Sequence, residues 1–427
     1  MGRAGHSFGL LRRNRDFAAL WGAELFSTLG DRVHRVALAA LVYRLTGSLT
    51  ETGIAFVATA LPDLLFGLAA GSFVDRWDRR RAMIVSNLLR VPAVVLIPVV
   101  AHVHLWLVYL ILFWVNTLAL VFRPAKTALL PSIVKSDELH AANSLNGIME
   151  NTADVLGYPL GGILVSTVSV WFGSEQGLAA AFIFDGLMFV VSALCIASIR
   201  PRGAPLESDA VTSSIWHDMR EGVAFTWRQP LVRANTAVML LGPLTLGATF
   251  PLLVGYAWEV LGGGEWEYSM LGTGISVGSI LAGFWLTSLS SVRTGLSVVV
   301  GLVVMGLGVM GTAMVSHLWL AVALMAISGM GSMMVLVPSV TLVQRHTPDR
   351  LLGRVFAVRS TLIFAAMIIT NAVGGVAGER FGVRESLFFC GSALVALVLL
   401  ASVFPSVRAS DTPPMLADEP QVAMDEA

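Results

Sequence analysis

The first long apolar run of this chain is interrupted by ionisable side chains, which are its strongest candidates for chemistry. Glu24 and Asp31 lie seven residues apart, two turns of a helix, so their carboxylates are expected to face the same way. An apolar environment disfavours the charged form of a carboxylate, and such a group can exchange a proton near neutral pH. We therefore expect Asp31 first, and Glu24 after it, to couple proton movement or to contact a ligand.

A structural ion pair is the alternative for Asp31, because Arg35 follows one helical turn later. Arg35 is itself a substrate candidate, since a charge within an apolar run is costly unless it is paired or hydrated. A second acidic pair, Glu150 and Asp154, has a spacing of four residues at which like charges repel. One of these two carboxylates is therefore expected to stay protonated or to bind a cation.

Further charged side chains fall within later apolar runs. Arg90 and Arg359 are the other basic residues expected to be buried, and both are candidates for proton coupling or substrate contact. Asp185 and His34 are weighed against simple polar packing, because a lone histidine is more often a satisfied polar group. The sequence leaves the pairing of these groups open.

The composition identifies the class of protein in which these charges lie. Of 427 residues, 56% are hydrophobic and 13% charged, about half the ~25% charge typical of soluble chains, which indicates a polytopic membrane protein. Neither of the two lysines, Lys126 and Lys135, follows a phosphate-binding glycine pattern, which excludes ATP hydrolysis by a P-loop. Arginines mark loops rather than one face, which argues against nucleic-acid binding. No pattern predicts an enzyme, a cofactor or a metal site.

Apolar runs between charged turns predict twelve membrane spans, since about 20 residues cross the hydrocarbon core. They are expected near 17–43, 51–73, 82–101, 105–123, 138–169, 177–199, 232–258, 268–290, 295–315, 317–340, 352–377 and 385–404. Both lysines would then lie outside the spans. Weak repeats at offsets of 212 to 214 residues relate Pro124 to Pro338 and Gly161-Gly162 to Gly374-Gly375. The predicted fold is an all-α polytopic membrane protein with twelve transmembrane helices in two pseudo-symmetric six-helix halves.

The same runs set the expected domain limits. We predict a cytoplasmic N-terminal segment (1–16), an N-terminal half (17–199), a linker (200–231), a C-terminal half (232–404) and a disordered tail (405–427). The linker should contain a short amphipathic helix, either on the inner leaflet or packed against the bundle ends. Basic residues concentrate in the segments of one side, whereas the other side holds only Arg44, Arg380 and Arg384. By the positive-inside rule both termini are cytoplasmic.

The turn 71–81, which reads GSFVDRWDRRR, joins the second and third spans and carries the pattern G-x-x-x-D-R-x-x-R. With Asn14-Arg-Asp-Phe17, the segment 124–131 and Ala142-Asn-Ser-Leu145, it resembles the major facilitator superfamily. The order of these motifs is similar to the drug:proton antiporter branch that includes macrolide-efflux and enterobactin-export proteins. The resemblance covers nearly all of 15–404. It implies duplicated six-helix halves with a central site.

Two motifs have expected conformational roles. Asp75 can cap a neighbouring helix and pair with arginine, so the turn should act as a latch that keeps the inside closed. The latch residues are Gly71, Asp75, Arg76, Arg79 and Arg80. In the fifth span, Gly157, Pro159, Gly161 and Gly162 resemble the antiporter motif, with the proline one position later than in the family. Its glycines should let the fifth and eighth spans approach closely.

Together these features predict a secondary active transporter in the cell inner (plasma) membrane. It is expected to export a hydrophobic or amphipathic small molecule by proton antiport through alternating access. A lysolipid flippase or a siderophore exporter of the same fold would fit the same residues, and a non-transporting receptor or a lipid enzyme is a remote alternative. The expected partners are a small-molecule substrate, protons and the lipid bilayer, without nucleic acid, and the chain is expected to be monomeric.

Overall fold

The computed structural model describes residues 9–74, 77–200, 215–288 and 294–402, and every structural statement below concerns these ranges. Asp75 and Arg76 of the predicted latch lie outside the described residues, as do the predicted tail 405–427 and most of the linker's first half, 201–214. Most residues in these ranges are helical, and no β-strand occurs in them.

Thirteen long helices follow one another in the described ranges. Their bounds are α1 (Arg15–Thr46), α2 (Leu49–Val74), α3 (Arg79–Ala101), α4 (Leu105–Ile133), α5 (Leu139–Phe172), α6 (Ser174–Ser198), α7 (Ile215–Arg228), α8 (Pro230–Gly255), α9 (Glu265–Ser288), α10 (Thr294–Ala313), α11 (Leu318–His346), α12 (Asp349–Phe381) and α13 (Val383–Ser402). Eleven of them are long and apolar enough to cross a membrane. α1 has the length but carries too many charges, and it packs inside the bundle as the twelfth span.

Local sequence signals fix the helix ends. The Asn14 side chain caps α1 by accepting a hydrogen bond from the Phe17 N–H at 3.0 Å. Asp78 caps α3 in the same way through the Arg81 N–H at 2.7 Å. Gly47 ends α1 with φ of 62°, a left-handed conformation that glycine adopts without a Cβ penalty. The tight α1–α2 turn follows from this conformation.

The two halves repeat the same packing. α1 packs against α5 and α6, as α8 packs against α12 and α13. Likewise, α2 and α3 contact α4, and α9 and α10 contact α11. The predicted all-α architecture of two pseudo-symmetric halves is therefore confirmed. One predicted boundary is wrong: the fourth span does not end near residue 123, because α4 continues to Ile133 and carries Lys126 inside the helix.

The halves meet mainly through α2 against α12 and α5 against α9. At these contacts the helices approach closely because glycine has no side chain. A Cβ added to Gly53 would lie 2.5 Å from the carbonyl oxygen of Asn371. Gly375 faces the backbone of Leu49 with equally little space. These contacts lie where α1 ends and α2 begins, and we call this side of the bundle the closed end.

Polar contacts join the halves at the closed end. Tyr43 donates a hydrogen bond to Glu259 at 2.7 Å, and Arg44 forms an ion pair with Glu265 at 2.6 Å. Glu379 of α12 accepts hydrogen bonds from the first turn of α2, including the Thr50 hydroxyl at 2.6 Å and its N–H at 3.0 Å. At the opposite end, the polar contacts between described residues include bonds within one half and bonds that join α7 to α8 and to α12.

The linker helix α7 packs against the end of the bundle, one of the two placements that the sequence left open. One face packs on α12, where Glu221 forms ion pairs with Arg354 and, at 3.3 Å, with Arg350. The other face is exposed, with Trp227 68% accessible. An exposed tryptophan beside arginine is typical of a helix at a membrane surface.

Substitution of Gly53 by valine should force the halves apart at the closed end. The added methyl groups would meet main-chain atoms of Asn371, which cannot rotate away. Double electron–electron resonance between nitroxides at Leu45→Cys and Phe381→Cys, both exposed on opposite halves, should then show a longer-distance population. A change of about 1.4 kcal/mol in the free-energy difference between the closed and open states would change the ratio of closed to open molecules roughly tenfold.

The matched control is Gly67→Val in the same helix, where an added Cβ meets no atom within 4 Å. It should leave the distance distribution unchanged. Equal distributions for Gly53→Val and the parent protein would show that α2 and α12 are not closely apposed at this point.

Candidate functional site

Helix α1 carries the charges that organise the N-terminal half, and each charged position contacts a different neighbour. Asp31 binds Arg90 of α3, with 2.7 Å between Oδ1 and Nη2. The structural pair with Arg35 that the sequence offered as an alternative is not the one that forms. Arg35 instead points its guanidinium towards the Phe250 ring of α8, 6.0 Å from the ring centre.

A second pair lies beside Asp31 and Arg90. His34 Nδ1 is 2.9 Å from Asp185 Oδ2 of α6, and both side chains are buried. Asp185 interacts electrostatically with Asp31 and Arg90 as well, so the four groups form one cluster. Its members are Asp31, His34, Arg90 and Asp185, and we call it the α1–α3–α6 cluster.

Exposure separates the members of this cluster. The Asp185 and Arg90 side chains are 1% and 4% accessible, whereas the Asp31 side chain is 42% accessible. Arg90 also stacks on Phe189, 3.8 Å from the ring centre, which stabilises a cation in an apolar setting. Asp31 is therefore the member of the cluster that is most accessible to solvent.

Close approach of α1 and α6 depends on a glycine. A Cβ at position 30 would lie 2.5 Å from Asp185 Oδ1, so glycine there lets the carboxylate reach α1. Asp185 Oδ1 is buried and accepts no hydrogen bond from a described residue. The carboxylate thus retains an acceptor for a donor that moves towards it.

Two further ion pairs tie α1 to its neighbours. Arg32 Nε donates to Asp154 of α5, which supplies the cation that the Glu150–Asp154 spacing required. Lys126 of α4 donates to Glu24, and both side chains are largely buried. Glu150 is exposed on α5 and is not part of either pair.

The C-terminal half places Arg359 differently. Arg359 as a whole is 2% exposed, and its guanidinium donates to Asn235 Oδ1 at 2.9 Å, Ser339 Oγ at 2.6 Å and Met239 Sδ at 2.9 Å. These groups come from α8 and α11. The site contains a buried cation among neutral acceptors.

The glycine motif of α5 serves two contacts. Gly157 lies against the side-chain stem of Arg32, where a Cβ would approach to 2.6 Å, and Gly161 lies against Val33. Gly162 faces Ser269 of α9, where the fifth and eighth spans meet. Pro159 lies within α5 between these contacts.

Of the predicted latch, Gly71, Arg79 and Arg80 are described. Gly71 lies in the last turns of α2. Arg79 donates to the Ala128 carbonyl and Arg80 to the Ile196 carbonyl, each at 3.1 Å, so both fasten α3 to neighbours in the same half.

Sequence reasoning missed two partners, and the sequence holds a signal for one of them. Lys126 was assigned to a loop because the Pro124 region reads as a span end, although α4 extends beyond it. Arg32 was not assigned to Asp154, although Gly157 follows that carboxylate by three residues and leaves space on the same face for a bulky side chain. No group of three or more metal-binding side chains occurs among the residues that were described.

Loss of one partner of the Glu24–Lys126 pair should destabilise the protein. Lys126→Met leaves a buried carboxylate without its cation, a change that costs about 3–5 kcal/mol at buried pairs. Adding Glu24→Gln should recover much of this loss, because the uncompensated charge is gone. The midpoint temperature of thermal unfolding is measured in detergent for the parent, both single variants and the double variant, and the comparison gives the energetic coupling between Glu24 and Lys126. Equal midpoints for Lys126→Met and the double variant would contradict this coupling.

Two efflux proteins are among the known proteins to which this chain is similar over most of its length. The chain is 23% identical to macrolide efflux protein A of Streptococcus pyogenes over 414 residues, covering 92% of this chain and 97% of that protein. It is 26% identical to the multidrug efflux pump Tap of Mycobacterium tuberculosis over 420 residues, covering 92% and 94%.

Solved structures share the fold. A bacterial homologue of the human lysosomal transporter Spinster, crystallised in an inward-facing and unoccupied conformation, superposes with a TM-score of 0.69 at 14% identity, covering 93% of this chain and 97% of that one. The fold and the family are those of transporters and not of enzymes. A family model described as a transmembrane secretion effector matches residues 7–426, and the chain therefore belongs to this family of the major facilitator superfamily.

Proposed function

We propose that this protein is a secondary active exporter that moves a hydrophobic or amphipathic small molecule in exchange for protons by alternating access. The observation that carries the proposal is the ion pair between half-exposed Asp31 and buried Arg90, next to the buried His34–Asp185 pair. A charge pair of this kind within a span is a functional candidate because its burial is costly.

The cluster suggests how a proton would change the structure. Protonation of Asp31 removes the charge that holds Arg90, and the guanidinium then gains by turning towards Asp185, whose Oδ1 has acceptor capacity. Asp31 belongs to α1, Arg90 to α3 and Asp185 to α6, so this exchange of partners would shift α1 against both neighbours. α1 also contacts α8 and α9, which carries the shift to the other half.

Two observations support an apolar or amphipathic substrate. The relatives named above are a macrolide efflux protein and a multidrug efflux pump, and we extend that substrate class to this chain. Between the halves, Phe56 of α2 and Phe250 of α8 lie 6.4 Å apart with Arg35 above Phe250. Aromatic side chains at the interface between the halves are compatible with a bulky apolar ligand.

The orientation follows from the distribution of basic residues. We propose that the opposite end faces the cytoplasm together with both termini, and that the closed end faces outwards in the plasma membrane. The described state would then accept substrate from the inside. Protons, the substrate and the bilayer are the proposed partners, and a monomer is the proposed functional unit.

Transport by Asp31→Asn should separate binding from coupling. In everted vesicles with an acidic interior, the parent protein should accumulate its substrate, and a protonophore should abolish accumulation. Asp31→Asn should lower this accumulation at least tenfold, because the amide cannot carry the proton, while retaining exchange of labelled for unlabelled substrate. A dye and antibiotic panel in efflux-deficient cells identifies the substrate to use.

Asp137→Asn makes the same substitution at an exposed carboxylate between α4 and α5 and should transport like the parent. Full proton-driven accumulation by Asp31→Asn would remove this carboxylate from coupling. Transport of none of the panel by correctly inserted protein would favour the lysolipid or siderophore alternatives over drug-like compounds.

A further inference from the structure

Helix α7 leads directly into a membrane span and therefore lies close to the bilayer surface. It ends at Arg228, and α8 begins at Pro230 as an apolar helix long enough to cross a membrane. α7 also packs on the first turns of α12, where Glu221 pairs with Arg354 and Arg350. These connections place α7 at the end of the bundle opposite the closed end, where α8 and α12 both begin.

The face of α7 that meets the bundle is closely packed. A Cβ added to Gly222 would lie 2.8 Å from the carbonyl oxygen of Arg354. Phe225 packs in a small apolar cluster with Val232 of α8, Val343 of α11 and Val355 of α12. Contacts to three helices fix the rotation of α7 about its axis, so the face that it turns away from the bundle is also defined.

That opposite face is apolar at its centre and basic beside it. Val223 and Trp227 are neighbours on the helix surface, because they are four residues apart, and they are 45% and 68% exposed. Arg220 precedes Val223 by three residues, Arg228 directly follows Trp227, and both arginines are exposed. We call these four residues the outer face of α7. Exposed tryptophan with arginine around it is typical of helices that lie in the membrane interface.

The charge of this region is complementary to an anion. Between Met219 and Arg228, the part of α7 whose side chains the structure describes, the one acidic residue is Glu221, and it faces α12. Exposed Arg233 of α8 donates from Nη1 to the Trp227 carbonyl at 3.1 Å, so its guanidinium lies at the C-terminal end of α7. The planar guanidinium group matches the geometry of phosphate oxygens.

We propose that the outer face of α7 docks on the bilayer and that Arg220, Arg228 and Arg233 bind the phosphate groups of anionic phospholipids. Val223 and Trp227 enter the acyl-chain boundary, while the guanidinium groups stay at the level of the headgroups. Anionic lipids give the cytoplasmic leaflet a negative surface potential, which attracts basic segments beside a span. This interaction goes beyond the proposed function, because it concerns the surrounding lipid and not the transported substrate.

The test identifies the lipid that lies next to α7. A bimane fluorophore is attached at Val223→Cys in full-length protein that also carries Cys195→Ala and Cys390→Ala. The protein is placed in nanodiscs of equal parts phosphatidylglycerol and phosphatidylcholine, in which only one of the two lipids has brominated, quenching acyl chains. Brominated phosphatidylglycerol should quench about twofold more strongly than brominated phosphatidylcholine, because the arginines attract the anionic lipid.

Two triple variants separate charge from simple contact with the bilayer. Replacement of Arg220, Arg228 and Arg233 by glutamine should make the two brominated lipids quench equally, with α7 still on the bilayer. Replacement of the same three residues by lysine is the matched control, and it should keep the preference for phosphatidylglycerol because the charge is retained. A fluorophore at Val99→Cys, 65% exposed on α3, should be quenched equally by both lipids.

Three results would overturn the proposal. Absence of quenching by either lipid would show that the outer face of α7 is turned towards water. Equal quenching by both lipids in the parent would show contact with the bilayer without recognition of anionic headgroups. A preference that survives the glutamine variant would assign the anionic lipid to other residues. The nanodisc has the same lipids in both leaflets and contains no transported substrate, so the outcome is independent of orientation and of the Asp31 experiment.

Discussion

The free-energy cost of an unpaired charge in a low-dielectric interior is the constraint on which the rest of this structure depends. Helix α1 carries several such charges, and it meets the constraint by pairing with α3, α4, α5 and α6 through different side chains. The N-terminal half is thereby held around α1. Loss of the charge on Glu24, Asp31 or Arg32 therefore removes a contact between α1 and a neighbouring helix.

Glycine makes these contacts geometrically feasible. Gly30 admits Asp185 to α1, and Gly157 admits the stem of Arg32 to α5, so each ion pair forms between helices that nearly touch. Glycine also allows close helix contact between the halves, where Gly53 lies against α12 and Gly162 lies against α9. Polar bonds of Glu379 and Arg44 then join the halves at the closed end. α5 therefore takes part both in a charge pair of the N-terminal half, through Asp154, and in a glycine contact with the other half, through Gly162. α1, which carries the other charge pairs, leads directly into α2, which carries Gly53.

Much of the fold could be predicted because hydropathy is local and additive along the chain. The twelve spans, the duplicated halves and the linker helix follow from apolar runs, charged turns and repeated glycines. The end of the fourth span was misplaced, since Lys126 reads as a loop residue unless Glu24 is known to lie opposite. The candidate site was found in part: Asp31 and Arg90 were both chosen, but not as partners of each other.

The sequence by itself determined how many helices cross the membrane, in what order, and which of them carry charges. Only the tertiary structure decided which charges meet. Asp31 and Arg90 are 59 residues apart, and His34 and Asp185 are 151 apart. Whether such groups face each other depends on the rotation and tilt of each helix, and these are set by the packing of all its neighbours at once. The same dependence placed Arg359 among neutral acceptors of α8 and α11, which no local pattern around it could reveal.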